Sequence, residues 1–391
     1  MPQPRRSTIG GASGRHLNDG ITRLNDLPLN EGSAGQPWQD RSSRYDHRGR
    51  FPKPRSGLEF PKHPAGHGLT EMPSKADIAF GLQRRLCFRF RPGQKMHQML
   101  AAKLVACVAV LSAAAPAAGN DKPVDGRFDI GGRSIRLACK GTGGPVVVID
   151  AGMGTAPVED QGWRIIADQV APVTRVCLYD RAGLGGSDPA PAGPRSSLDA
   201  AADLHAVLSA AGIKGPYLLV GHSIGGLHAQ VFAAKYPADT AGLVLVSTTH
   251  PDQFSRWLAL LPAATSDEEK AVTEARAFLT SVQADPSKNE ERLDMRASAR
   301  EAHLLTSLGS KPVIVATHSP RFRMVPGLSE PLAVKLEDAT QRMQREYLSL
   351  STNAHQNIAE RAGHGLPHEA PKFVVDNIFE GVAAVRQQSA R

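Results

Sequence analysis

Seven short runs rich in apolar and β-branched residues recur after residue 125, and most are continuous rather than alternating. They are Arg133–Cys139, Pro145–Asp150, Thr174–Asp180, Pro216–His222, Gly242–Ser247, Lys311–His318 and His355–Arg361. A strand that is apolar on both sides needs cover on both sides, so such runs belong in a sheet between helical layers. Helical patterns lie between them: Ser197–Ala211, Ile224–Tyr236 stopped by Pro237, and a last helix opening at Pro371 with Val374, Ile378, Val382 and Val385 on one face. Strand and helix in alternation predict an α/β fold with a doubly wound, mainly parallel sheet. Between Pro251 and Gly309 the alternation breaks, and only helical patterns occur, at Ser266–Ala284 and Asn289–Leu308. Such an insertion reads either as a small helical lid over a site, at about residues 251–309, or as surface helices.

The charge is unevenly spread. The 391 residues carry 46 Lys+Arg and 38 Asp+Glu, a net +8, yet residues 1–95 hold 17 and 8 of them and the rest 29 and 30. The body of the chain is therefore nearly neutral, and no nucleic-acid partner is expected for it. Residues 1–95 mix Pro, Gly, Arg and Ser without apolar periodicity, as in Arg41–Pro54, and read as a disordered basic extension. Arg84, Arg85, Arg89 and Arg91, interleaved with Phe88 and Phe90, have the residue types that touch nucleic acid or lipid, but the reading preferred for them is a solvated basic tail.

From Met96 the chain has the layout of a secretory signal peptide: a Met, a positive Lys103, the apolar stretch Leu104–Ala115, then Ala115-Pro116-Ala117. Residues 96–118 are too short and interrupted to form a stable membrane span. The expectation is translation from Met96 or Met99 and export to a periplasmic or extracellular site, with an internal apolar helix as the alternative. Leu104–Cys107 has the outline of a lipoprotein box, but too little apolar sequence precedes it. Beyond residue 118 only Cys139 and Cys177 remain, which in an exported protein raises the question of a bridge.

Three segments carry chemistry. Gly221-His222-Ser223-Ile224-Gly225-Gly226 follows the run Pro216–Val220 and opens a helix. A serine hydroxyl becomes a nucleophile when a sharp strand-to-helix turn holds it out beside a base, and the crowding there leaves room only for glycine at the flanking positions. Attack on a carbonyl builds an oxyanion that needs preorganised N–H donors. The Ile224 amide and the Met153 amide, in the loop Asp150-Ala151-Gly152-Met153-Gly154, are the candidates. Gly363-His364-Gly365 lies between the last strand and the last helix, where a base following the serine in chain order would be delivered. His222, His250, His318, His355 and His368 compete with His364.

On these segments, together with Tyr179–Asp188 (YDRAGLGGSD), the chain resembles the α/β-hydrolase fold family, of the bacterial esterase-like type, over nearly everything after residue 126. The resemblance implies an eight-stranded sheet with helices on both faces, and it places the strand of Cys139 beside that of Cys177, hence a Cys139–Cys177 disulfide. It also implies a cofactor-free serine hydrolase acting on a carboxylic ester or similar small-molecule acyl substrate, with Ser223 as nucleophile and His364 as base. A peptidase or lactonase is an alternative within the fold. Relatives carry an acid at the end of the sixth or seventh strand. Here those ends read Leu243–Ser247 and Ala316–Ser319, without a carboxylate. Asp252, Glu330, Glu337 and Asp338 are the nearest substitutes, and Asp252 is the expected acid because only a short loop separates it from Ser247. Without an acid, a ligand-binding homologue with an impaired triad is the competing reading. No metal-ligand spacing such as H-E-x-x-H or C-x-x-C occurs, and no metal is expected.

Overall fold

In the computed structural model of the protein, residues 122–390 are described. They lie in the second of two units, Lys95–Arg391. The basic extension 1–95 and the signal-peptide-like segment 96–118 fall outside the described residues. Strands β1 (Val124–Asp129), β2 (Ser134–Lys140), β3 (Val146–Asp150), β4 (Val176–Tyr179), β5 (Tyr217–His222), β6 (Thr240–Val246), β7 (Val313–Thr317) and β8 (Ala354–Ile358) form one sheet in the order β1-β2-β4-β3-β5-β6-β7-β8. The β1–β2 and β2–β4 pairs are antiparallel and all others parallel. The seven expected strands are β2 to β8. β1 has no continuous apolar run, because its residues alternate between half-buried and exposed and pair with β2 alone.

Helices α1 (Gln161–Val170), α2 (Ser197–Ala210), α3 (Ile224–Lys235), α4 (Gln253–Leu260), α5 (Lys270–Ala284), α6 (Met295–Ala302), α7 (Glu330–Glu346), the single turn α8 (Leu366–Glu369) and α9 (Pro371–Ser389) complete the described part. Successive strand residues feed opposite cores. Val148, Leu219, Leu245 and Val315 pack with Leu204 and Val207 of α2 and Leu227 and Phe232 of α3. Val147, Leu218, Val220 and Ile314 pack with Trp163 and Ile166 of α1 and Val374, Ile378 and Val382 of α9. Covering both faces is why the strands are apolar at every position. No helix among the described residues is long and apolar enough to cross a membrane.

The stretch between β6 and β7 is helical as expected, but α6 is shorter than Asn289–Leu308. Asn289 turns back on the chain, its side chain bonding both the amide and the carbonyl of Leu293, and Asp294 then caps α6 by accepting from Ala297 N. α1, α7 and the single turn α8 have no counterpart among the helical patterns of the sequence. The buried positions of α7, among them Ala333, Leu336, Thr340 and Met343, do follow a helical period, but polar residues at Glu337, Gln341 and Gln344 share that buried face.

Cys139 of β2 faces Cys177 of β4 in register, with Cα atoms 4.0 Å apart, and the two sulfurs are bonded. The link closes a loop of 38 residues and ties the antiparallel β1–β2 hairpin to the parallel part of the sheet. Replacing both cysteines by serine is expected to lower unfolding free energy by roughly 2–4 kcal/mol, measured by denaturant titration of both proteins.

Candidate active site

Ser223 sits between β5 and α3 with φ of 53°, a left-handed conformation that a serine adopts only when its surroundings force it. Its amide donates to Val246 O at 3.1 Å, and its carbonyl accepts from Gly226 N at 3.1 Å and Thr249 N at 2.9 Å. A Cβ on Gly221 would strike the Gly226 backbone, and one on Gly225 would strike the carbonyls of Asp150 and Ala151. The two flanking glycines therefore let three backbone segments meet under the serine.

His364 Nε2 lies 3.0 Å from Ser223 Oγ. The histidine's loop is clamped from both sides. Glu369 of α8 accepts from Gly363 N at 2.6 Å and Gly365 N at 3.2 Å, and His222 Nε2 lies 2.9 Å from the His364 carbonyl, to which it donates. His222, one of the competing histidines, is thus a support beside the serine. Burial pushes His222 and His228 down to about 4, and it holds His364 well below the ordinary histidine value, with neighbouring His222 and His318 adding to the effect. His364 is accordingly a neutral imidazole at neutral pH, able to accept a proton.

The Ile224 amide opens α3, where the first amides have no acceptor within the helix. Met153 lies in the loop after β3, which one buried guanidinium organises. Arg181, with a side chain 3% exposed, pairs with Asp150 at 2.6 Å and donates to the carbonyls of Ala151 and Gly152, each at 2.7 Å. Glu291, just before α6, receives two bonds from Arg181 at 2.7 Å and accepts from Gly154 N at 2.9 Å. Both sides of Met153 are thereby fixed. Burial works to raise the Glu291 carboxyl, but Arg181 more than offsets it and holds the group at about 2. Neither Arg181 nor Glu291 was singled out from sequence. The charge pattern offers no hint that residues 110 positions apart form one pair.

Asp252 does not reach His364. It lies at the start of α4, where its carboxylate is 2.8 Å from His303 Nε2 and 2.9 Å from an Arg256 nitrogen. The loop after β6 stays buried through Thr248, Thr249 and His250, tied by Thr249 N to the Ser223 carbonyl, and it surfaces at Asp252 facing the helical insertion. The expectation from proximity in sequence is corrected by this path. The Nδ1 atom of His364 is buried with no hydrogen-bond partner among the described residues. At the end of β7 stands His318, bonded to Ser247 and to Glu337 of α7.

Residues 144–285 match the family described as the alpha/beta hydrolase fold. The described residues have the α/β-hydrolase fold. It is 28% identical over 251 residues to the uncharacterized protein YqjL of Bacillus subtilis, a match covering 64% of this chain and 88% of that one. An AB hydrolase superfamily protein of Gibberella zeae is 25% identical over 287 residues, covering 62% and 87%. Among solved structures, a thermophilic esterase from Thermogutta terrifontis aligns with a TM-score of 0.44 at 22% identity, covering 68% of this chain and 99% of that one. No group of His, Cys, Asp and Glu able to hold a metal ion occurs among the described residues.

Two outcomes follow from this geometry. Glu291→Gln leaves Arg181 undercompensated and loosens the Met153 loop. It is expected to destabilise the fold by about 3 kcal/mol, read by denaturant titration, and to slow turnover roughly 10- to 100-fold. The buried histidines have folded-state values below their unfolded ones, so the stability they contribute is complete above pH 6.5 and is lost as pH falls toward about 4. Melting temperatures across that window should fall steeply in the wild type and less steeply in His228→Gln.

Proposed function

We propose that this protein is a serine hydrolase that cleaves a carboxylic ester or similar acyl bond of a small molecule. The observation that carries the reading is the 3.0 Å approach of His364 Nε2 to Ser223 Oγ at a strained strand-to-helix turn. Ser223 Oγ attacks the carbonyl carbon while its proton passes to His364 Nε2. The amides of Met153 and Ile224 hold the resulting oxyanion. On collapse the leaving alkoxide takes the proton from His364 and departs, leaving the acyl group on Ser223. Water then gives a proton to His364, attacks the acyl carbon, and Ser223 Oγ leaves with that proton as the acid is released. The helical segment α4 to α6 supplies the lid of this reading, since Glu291 joins it directly to the oxyanion loop.

The partnerless Nδ1 of His364 favours a second reading, a ligand-binding relative whose serine is not activated. Reaction with a fluorophosphonate separates the two, because an activated serine labels within minutes and an inert one does not. The Cys139–Cys177 bond supports a further part of the proposal, export to an oxidising compartment, which fractionation of the native host would check.

Hydrolysis of short and medium p-nitrophenyl esters is expected for the wild type. Ser223→Ala and His364→Ala should each lower kcat by about 10³-fold or more with the fold retained. Undiminished hydrolysis by Ser223→Ala would remove the serine mechanism.

A further inference from the structure

His364 has two buried nitrogens in unequal circumstances. Nε2 faces Ser223 Oγ at 3.0 Å, whereas Nδ1 has no hydrogen-bond partner among the described residues. When Nε2 takes the serine proton the ring becomes a cation, and in a buried site that cation needs a nearby negative charge. The ends of β6 and β7 offer Ser247 and His318 in place of a carboxylate.

The His318 ring meets the His364 ring edge to face, with centroids 5.9 Å apart. Its own nitrogens are both engaged. Ser247 Oγ accepts the His318 amide at 3.2 Å and lies 2.9 Å from His318 Nδ1, so the hydroxyl proton is available to that nitrogen. The ring hydrogen then sits on Nε2, which is 3.0 Å from Glu337 Oε1. Gln341 Nε2 donates to the same oxygen at 2.8 Å, and two donors on one oxygen fit a carboxylate. The side chains of His318 and Glu337 are each 1% exposed, and no lysine or arginine among the described residues pairs with Glu337. A negative charge is thus buried one imidazole away from the base.

The other groups around His364 do not provide that charge. His222 of β5, with its ring 5.1 Å away, is a buried neutral imidazole, and Asp160 beyond it at the start of α1 is paired with His368 at 3.0 Å. Phe322 covers another side of His318 at 5.5 Å, and nearby Arg323 is paired with Glu330.

We propose that Glu337, acting through His318, is the positioning residue that stabilises His364 as its ring takes up the serine proton. The inference rests on Ser223 and His364 being nucleophile and base. A charge acts strongly across one ring when water is excluded, and a buried carboxylate without a cation is otherwise an unrewarded cost to folding. Ser247 holds the tautomer that turns the His318 hydrogen toward Glu337, and its own φ of 39° shows how tightly this corner is constrained.

The test is Glu337→Gln in the full-length chain. Gln keeps an oxygen for His318 and Gln341 and removes only the charge. Fluorophosphonate labelling and p-nitrophenyl acetate hydrolysis are followed from pH 4 to 9, with melting temperature as a check on the fold. The labelling rate and kcat are expected to fall about tenfold or more with KM unchanged. The acid limb of the labelling rate should move to lower pH, because losing a negative charge disfavours the His364 cation. His318→Phe, which keeps a ring but breaks the connection, should lower the rate similarly and add little in the double variant. Wild-type rates in Glu337→Gln, or slower rates with an unmoved acid limb, would overturn the proposal while leaving the serine–histidine pair intact. If instead the wild type fails to label or Ser223→Ala still hydrolyses, the underlying reading fails and this inference falls with it.

Discussion

The junction of β5 and α3 depends on contacts too close for any side chain but hydrogen. Gly221 lies against Gly226, and Gly225 lies against the carbonyls of Asp150 and Ala151. This crowding brings the end of β3, the turn of β5 and the first turn of α3 into a space one residue wide, and it drives Ser223 into a positive φ. Strain of this kind persists only where the surroundings over-determine it. Here the Ser223 amide is held by β6 and its carbonyl by the loop after β6, so the serine cannot relax without parting two parallel strands.

Around that junction the site is divided electrically. One side is ionic: Asp150, Arg181 and Glu291, all nearly fully buried, bind the loop of Met153 to the helical insertion. The other is a group of imidazoles, His222, His318 and His364, tilted or set edge to face against one another at 5.1 and 5.9 Å. A buried arginine with two carboxylates can stay charged, whereas His222 and His364, buried without a carboxylate partner, stay neutral. The Met153 loop is therefore immobilised by fixed charge, and His364 is left free to change its charge.

The sheet was readable from sequence because a two-faced core writes itself as continuous apolar runs, and β2 to β8 lie where such runs occur. β1 lacked that signal, being a half-exposed edge. Ser223 and His364 were readable through local motifs, in which spacing along the chain stands in for geometry. The support of His364 was not readable in this way. Asp252 was chosen for closeness in sequence, and the chain carries it out to His303 and Arg256. Glu337 shares the buried face of α7 with Thr340, Gln341 and Gln344, polar residues that periodicity alone treats as solvent-facing. Arg181 and Glu291 meet only because the insertion folds back over the loop after β3, and no short motif records such a meeting.

The end of β7 shows what replacing a carboxylate by a histidine entails. His318 occupies the position with a group that needs both a donor and an acceptor of its own. Ser247 and Glu337 satisfy those needs at 2.9 and 3.0 Å. Because Ser247 Oγ is also fixed by a backbone amide, the direction of the hydrogen bonds is set at the strand ends. The arrangement exchanges one short contact for a longer chain of oriented dipoles ending in a charge. Its strength then depends on keeping water out of α7, whose buried Gln341 and Gln344 bond the carbonyls of His318 and Thr248 and close that path.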